Sequence, residues 1–296
     1  MRNIWLISIV TISLFCSAAR GAEAIKHKFL VMDEGNHKIH YVDQTNPKND
    51  WTLAHKGKGW DMQLLDNNRL LANTNSGWVI YDLKTRKLLE EHSDKALAGR
   101  VMSMRWMPDG TKYLLADNKG VTLYKVDKAN KIVAQKKYPK LSTPRYVRVT
   151  PQGNPIFASS DGITEVCKTD LSIVKRIMIP GGKKSKAFQG GKNAKGNYLM
   201  AAGFAGAFYE LTPEGKVVKT FTQKTEDMPE GMVNRFYSGF TVLKNGNIIC
   251  GHWAGHSAKA AQKAYQLLEF DKNGKLVWFW HDAKRAGGAL QAIILE

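Results

Sequence analysis

The residues best equipped for chemistry lie in the segment 251–264 and at one recurring position along the chain. The segment carries His252, Trp253, His256 and Lys259. No catalytic residue is assigned, and His252 is a candidate for one. His252 and His256 stand four apart, which on a helix would place both rings on one face. No carboxylate joins them at a ligand spacing, and no metal or other cofactor is assigned. Trp253 offers a flat surface on which a sugar or a base can stack. The recurring position holds Asp61, Ser103, Tyr146, Gln189, Gly239 and Gln291, preceded respectively by Trp60, Met102, Arg145, Phe188, Ser238 and Leu290. Aromatic and hydrogen-bonding side chains in one ring suit a pocket for a polar small molecule or sugar. The candidate ligand-binding set is therefore Trp60, Asp61, Arg145, Tyr146, Gln189, Gln291, His252, Trp253 and His256. No G-x-S-x-G nucleophile motif occurs.

What aligns these residues is a repeat of roughly forty residues. Each copy has an apolar run, a Gly or Asn turn, a second and a third apolar run, and a fourth β-rich run after a turn near Asp. The clearest copies are 62–90, 104–135, 147–177, 191–221 and 240–280. Their first turns include Asp66-Asn67-Asn68, Pro108-Asp109-Gly110 and Lys244-Asn245-Gly246, where Gly or Asn tolerates positive φ. Flanking runs rich in Val, Ile, Leu, Tyr and Phe alternate imperfectly, as strands covered on both faces do. The two ends complement one another. Segments 29–32, 38–43 and 51–54 read as second to fourth strands with no first, and 289–295 reads as a first strand with nothing after it. The expected fold is all-β, a six-bladed β-propeller of four-stranded antiparallel blades. Pairing of the C-terminal strand with the N-terminal blade closes the ring and removes the open edges.

With this architecture the chain resembles secreted bacterial six-bladed propellers with NHL-like or quinoprotein-like (PQQ-like) repeats. Glu269-Phe270-Asp271-Lys272-Asn273-Gly274-Lys275-Leu276-Val277-Trp278 and Tyr81-Asp82-Leu83-Lys84-Thr85-Arg86-Lys87-Leu88-Leu89 look like that group's strand–turn–strand signature. The likeness implies a fold and no particular activity. Quinoprotein dehydrogenases carry a vicinal cysteine pair that is absent here, so no quinone is expected. Lactonases of this fold hold calcium with several oxygen ligands, whereas Asp61 is the one acidic residue in the ring.

The first 24 residues read as a signal peptide, with Arg2, an apolar run from Ile4 to Phe15 and Ala22-Glu23-Ala24 as a cleavage site. Residues 25–296 then form the propeller domain, periplasmic or extracellular and not embedded in a membrane. Lys plus Arg number 44 against 26 Asp plus Glu, a net charge of +18 that loses one unit with the leader. Loops between blades concentrate this charge in Lys56, Lys58, Arg100, Lys140, Lys183, Lys184, Lys186, Arg235, Lys284 and Arg285. Asp94, Glu226, Asp227 and Glu230 offset them in part. Such a rim focuses anions: an acidic polysaccharide, a lipopolysaccharide or a carboxylated small molecule. Nucleic acid is not expected, because no recognised binding module is present. Cys167 and Cys250 sit in apolar strand patterns and read as two buried thiols. The reading is a non-catalytic propeller that binds an anionic or carbohydrate-like ligand, or a protein partner, at the channel mouth. The alternative is a hydrolase, lyase or transferase acting on a glycan or lactone.

Overall fold

The computed structural model describes residues 25–57, 59–224, 228, 230–256 and 258–295. The signal peptide assigned to residues 1–24 lies outside the described residues, as do Lys58, Glu226 and Asp227 and the side chain of Lys183.

Six four-stranded antiparallel sheets form the molecule, each the strands a to d of one blade. Blade 1 draws its strand a, Ala289–Ile294, from the C-terminus and its strands b, c and d from Lys28–Asp33, Lys38–Asp43 and Trp51–Ala54. Phe29 pairs with Ile294, Val31 with Ala292 and Met32 with Gln291, so the ring closes between the two ends of the chain. Blades 2 to 6 follow in order, and the a strands of neighbouring blades contact one another around the channel. Among the described residues no helix is long and apolar enough to cross a membrane.

Imperfect alternation in the sequence has its reason here. The strands Pro155–Ser159 and Gly162–Val166 are buried at every residue, because each blade is covered on both faces by its neighbours. One cluster, for example, packs Leu115 and Leu123 of blade 3 against Val147 and Phe157 of blade 4. Outer strands return to period two, as in Ile132–Tyr138, where half-buried and exposed residues alternate. The a–b turns of blades 3 to 6 each need a left-handed residue, and Gly110, Gly153, Gly196 and Gly246 supply it at φ 85–86°. Blade 2 has no such glycine, and there the Asp66 carboxylate accepts the Asn68 and Arg69 amides at 2.9 and 2.8 Å.

Two repeated devices were not apparent from the sequence. In blades 2 to 6 the c–d pairing shifts register by one residue just before the turn, a bulge that tightens the twist there. In blades 4 to 6 an asparagine of the a–b turn donates to a glutamate on strand c: Asn154 to Glu165 (2.9 Å), Asn197 to Glu210 (2.7 Å) and Asn247 to Glu269 (2.6 Å). The expectation of two buried thiols holds for Cys250 only. Cys167 lies past the end of its strand, in the c–d turn, with its sulfur 2.9 Å from the Thr169 hydroxyl.

Candidate functional site

The aligned ring Asp61, Ser103, Tyr146, Gln189, Gly239 and Gln291 does meet at the channel. Its polar members are 0–4% exposed and are spent on binding the blades together. Gln291 accepts the Met62 amide and donates to the Met62 carbonyl, both at 3.0 Å. Gln189 does the same to Phe240, at 3.1 and 2.9 Å. Each amide thus imitates a strand neighbour and grips the a strand of the next blade. The Ser103 hydroxyl donates to Asp61 and accepts the Val147 amide, while the Tyr146 hydroxyl donates to the Trp60 carbonyl. Asp61 lies between Arg105 (3.2 Å) and Arg148 (3.0 Å), and Arg148 donates to Gln189 at 3.0 Å. Burial, then the neighbouring Arg148, lowers the Arg105 guanidinium to about 10, which still leaves it charged at neutral pH. Asp61, Tyr146, Gln189 and Gln291 therefore form the floor of the channel and not the lining of a pocket.

The pocket lies one residue earlier in the repeat. Trp60, Arg145, Phe188 and Leu290 line a cavity of about 200 Å³, joined by Lys186 from a d–a segment and by Phe236 at the start of strand a of blade 6. The b–c loops complete it with Glu34 of blade 1, Phe204 of blade 5 and His256 of blade 6, and Trp253 joins them from the end of strand b of blade 6. Trp60, Arg145 and Trp253 thus converge. Phe236 meets Phe188 and Trp253 edge to face, each with centroids 5.6 Å apart. The Arg145 and Arg100 guanidiniums lie over Trp60 at 5.1 and 5.3 Å, and the Lys186 ammonium over Phe204 at 5.8 Å. Burial, then the like charge of Arg100, lowers Arg145 to about 10. Arg145 Nε and Trp253 Nε1 are buried and have no hydrogen-bond partner. Glu34 Oε2 lies 3.1 Å from His256 Nδ1. Gly288 makes room at this corner, since a Cβ there would come within 3.0 Å of Trp253 Cδ1.

Sequence reasoning found Trp60, Arg145, Trp253 and His256, and Lys186 as part of the basic rim, but missed Glu34, Phe188, Phe204, Phe236 and Leu290. Phe188 and Leu290 were signalled, because they occupy the same repeat position as Trp60 and Arg145. The basic rim is partly neutralised: Lys56 pairs with Glu91 (2.5 Å), and Arg285 with Asp50 (2.6 Å) and Asp282 (3.1 Å). Arg100, Arg145 and Lys186 gather at the mouth. A wider groove of about 630 Å³ beside residues 273–279 runs along the outer strand of blade 6, and none of the candidate residues lines it.

His252 is placed differently from the candidate base suggested by its loop. Strand b of blade 6 runs Ile248–Trp253, which puts His252 in the core at 1% exposure. Its Nε2 accepts the Arg235 amide at 2.9 Å, so its Nδ1–H donates to the Tyr265 carbonyl at 2.8 Å. Both nitrogens are thereby occupied in pinning the long loop. His256 is not on a shared helical face with it, and among the described residues no group of three or more His, Cys, Asp or Glu could hold a metal ion.

Burial lowers His252 and His55 to about 4. Between about pH 6.5 and 4 the unfolded chain therefore binds protons that the folded chain refuses, and stability is lost as pH falls through that window. Each imidazole contributes roughly 3 kcal/mol to that loss when complete. A melting temperature followed from pH 7.5 to 4.5 is expected to fall below about 6.5. His252→Gln should flatten the decline; an unchanged slope would contradict the assignment.

These observations define a six-bladed β-propeller with an aromatic, cation-edged pocket at one mouth of its channel. No protein-family model matches the chain, and no curated protein sequence is significantly similar to it. Similar solved structures share the fold. A protein of unknown function from Bacteroides caccae superposes with a TM-score of 0.72 at 18% identity, covering 92% of this chain and 100% of that one. Virginiamycin B lyase from Staphylococcus aureus gives 0.59 at 12% identity over 85% of this chain and 82% of its own. Its catalytically inactive variant with quinupristin gives 0.59 at 13%, over 86% and 83%.

Proposed function

We propose that this is an exported, non-catalytic propeller that takes a small anionic ligand into the pocket at its channel mouth. One observation carries the reading. Trp60, Arg145 and Trp253 converge on one cavity whose lining carries two cations, Arg145 and Lys186, against the one carboxylate of Glu34. Glu34 already faces His256, and an oxyanion would pair the positive charge that is left. Export rests on the Arg2 and apolar-run leader, and the likeness to NHL-like or PQQ-like repeats agrees with such a setting.

The test is a thermal-shift screen of the 25–296 chain against small carboxylates, uronic acids and phosphate esters. An anion at a hundred times its Kd adds about 2.7 kcal/mol, a rise in Tm of roughly 5 °C or more. Arg145→Gln should remove the shift. No shift with any anion, or a shift that survives Arg145→Gln, would count against the site.

One contact favours a second reading, lyase-type chemistry as in the virginiamycin B lyase neighbour. His256 at the rim is oriented by Glu34, as a general base is by a carboxylate. Turnover of quinupristin, the compound bound to the inactive neighbour, that is lost in His256→Ala would establish it.

A further inference from the structure

We infer that the ligand is a small aromatic carboxylate and not a sugar acid, an inference that rests on the anion-binding reading of the same pocket. The argument is the balance of donors and acceptors. Arg145, Lys186 and Trp253 donate only, and the phenylalanines and Leu290 do neither. Glu34 is the acidic acceptor in the lining, and its Oε2 already faces His256 at 3.1 Å. A backbone acceptor at this edge, the Trp60 carbonyl, is taken by the Tyr146 hydroxyl.

A pyranose carries a hydroxyl on most of its ring carbons, and each must donate as well as accept when it is buried. This pocket would leave most of those donors unpaired. An aromatic carboxylate makes the opposite demand. Its oxygens accept only, they sit at one edge, and the rest of the molecule is an apolar plate. The Arg145 guanidinium and the Lys186 ammonium, both in the lining, meet the first requirement. The second is met by the walls, where Phe236 stands edge to face with Phe188, Phe204 and Trp253, at centroid separations of 5.6, 4.7 and 5.6 Å. Faces and edges presented this way suit insertion of another aromatic ring. A cavity of about 200 Å³ admits one ring or two fused rings and excludes an oligosaccharide.

The test is calorimetric titration of the 25–296 chain with benzoate, indole-3-carboxylate, indole-3-carboxamide and glucuronate. At least one aromatic acid should bind about tenfold or more tighter than both the carboxamide and glucuronate. Lys186→Gln keeps the walls and removes one of the two cations, and it should weaken that binding by about tenfold while the Tm of the free protein stays near that of the parent. Glucuronate binding as well as or better than both aromatic acids would overturn the aromatic assignment and leave the anion site standing. Carboxamide binding as tightly as the carboxylate would overturn both. Failure of benzoate and indole-3-carboxylate to bind at millimolar concentration would overturn the assignment made here.

Discussion

Deleting residues 289–296 is expected to abolish cooperative folding. The segment supplies strand a of blade 1, and its removal leaves Lys28–Asp33 with an open edge. Ala289, Leu290, Gln291 and Ala292 are at most 4% exposed, and Gln291 makes the paired bonds that hold blade 2 through Met62. Loss of a whole inner strand removes stabilisation on the order of a domain's net stability, about 5–15 kcal/mol. Thermal melts by circular dichroism and size-exclusion chromatography should show no sharp transition, with aggregation through the exposed edge. A truncated chain that melts cooperatively within a few degrees of the parent would show that the ring does not depend on this closure.

Asp61→Ala is expected to cost about 3–5 kcal/mol, the effect of leaving buried charge uncompensated. Arg105 and Arg148 have side chains only 14% and 12% exposed, and Asp61 is the anion that both of them reach. Ser103 loses an acceptor at the same time. Chemical denaturation measures the loss, and a second substitution identifies its source. Adding Arg148→Met to Asp61→Ala removes one of the stranded charges and should recover part of the stability, giving a coupling that two independent sites would not show. An Asp61→Ala cost below about 1 kcal/mol would mean that water, not the carboxylate, balances these arginines.

The same network explains how far the sequence could be read. Blade number, strand order and closure through 289–295 were legible because each depends on turn residues and apolar runs that recur at a fixed period. The ring position was legible too, but its role was not. Repeat alignment says that Asp61, Tyr146, Gln189 and Gln291 are equivalent; it does not say that their polar atoms are used up between blades. One residue changes which way a strand side chain faces, so the ring that lines the cavity is the preceding one, with Trp60, Arg145, Phe188 and Leu290. Glu34 and Phe204 were hidden for a different reason. They sit on loops whose paths the repeat does not dictate, and Lys186, legible as a rim charge, adopts a left-handed φ of 56° that nothing in its residue type announces. His252 was misplaced because its strand extends through Trp253, which turns a presumed loop residue into a core one.

The channel mouth is proposed to hold an anion beside Arg145 and Lys186. A crystal structure of the 25–296 chain grown with indole-3-carboxylate tests it most directly. The carboxylate is expected within hydrogen-bonding distance of the Arg145 guanidinium or the Lys186 ammonium, with its ring among Trp60, Phe188 and Phe236. A mouth that stays empty at saturating probe, or a probe bound along the outer groove beside residues 273–279 instead, would contradict it.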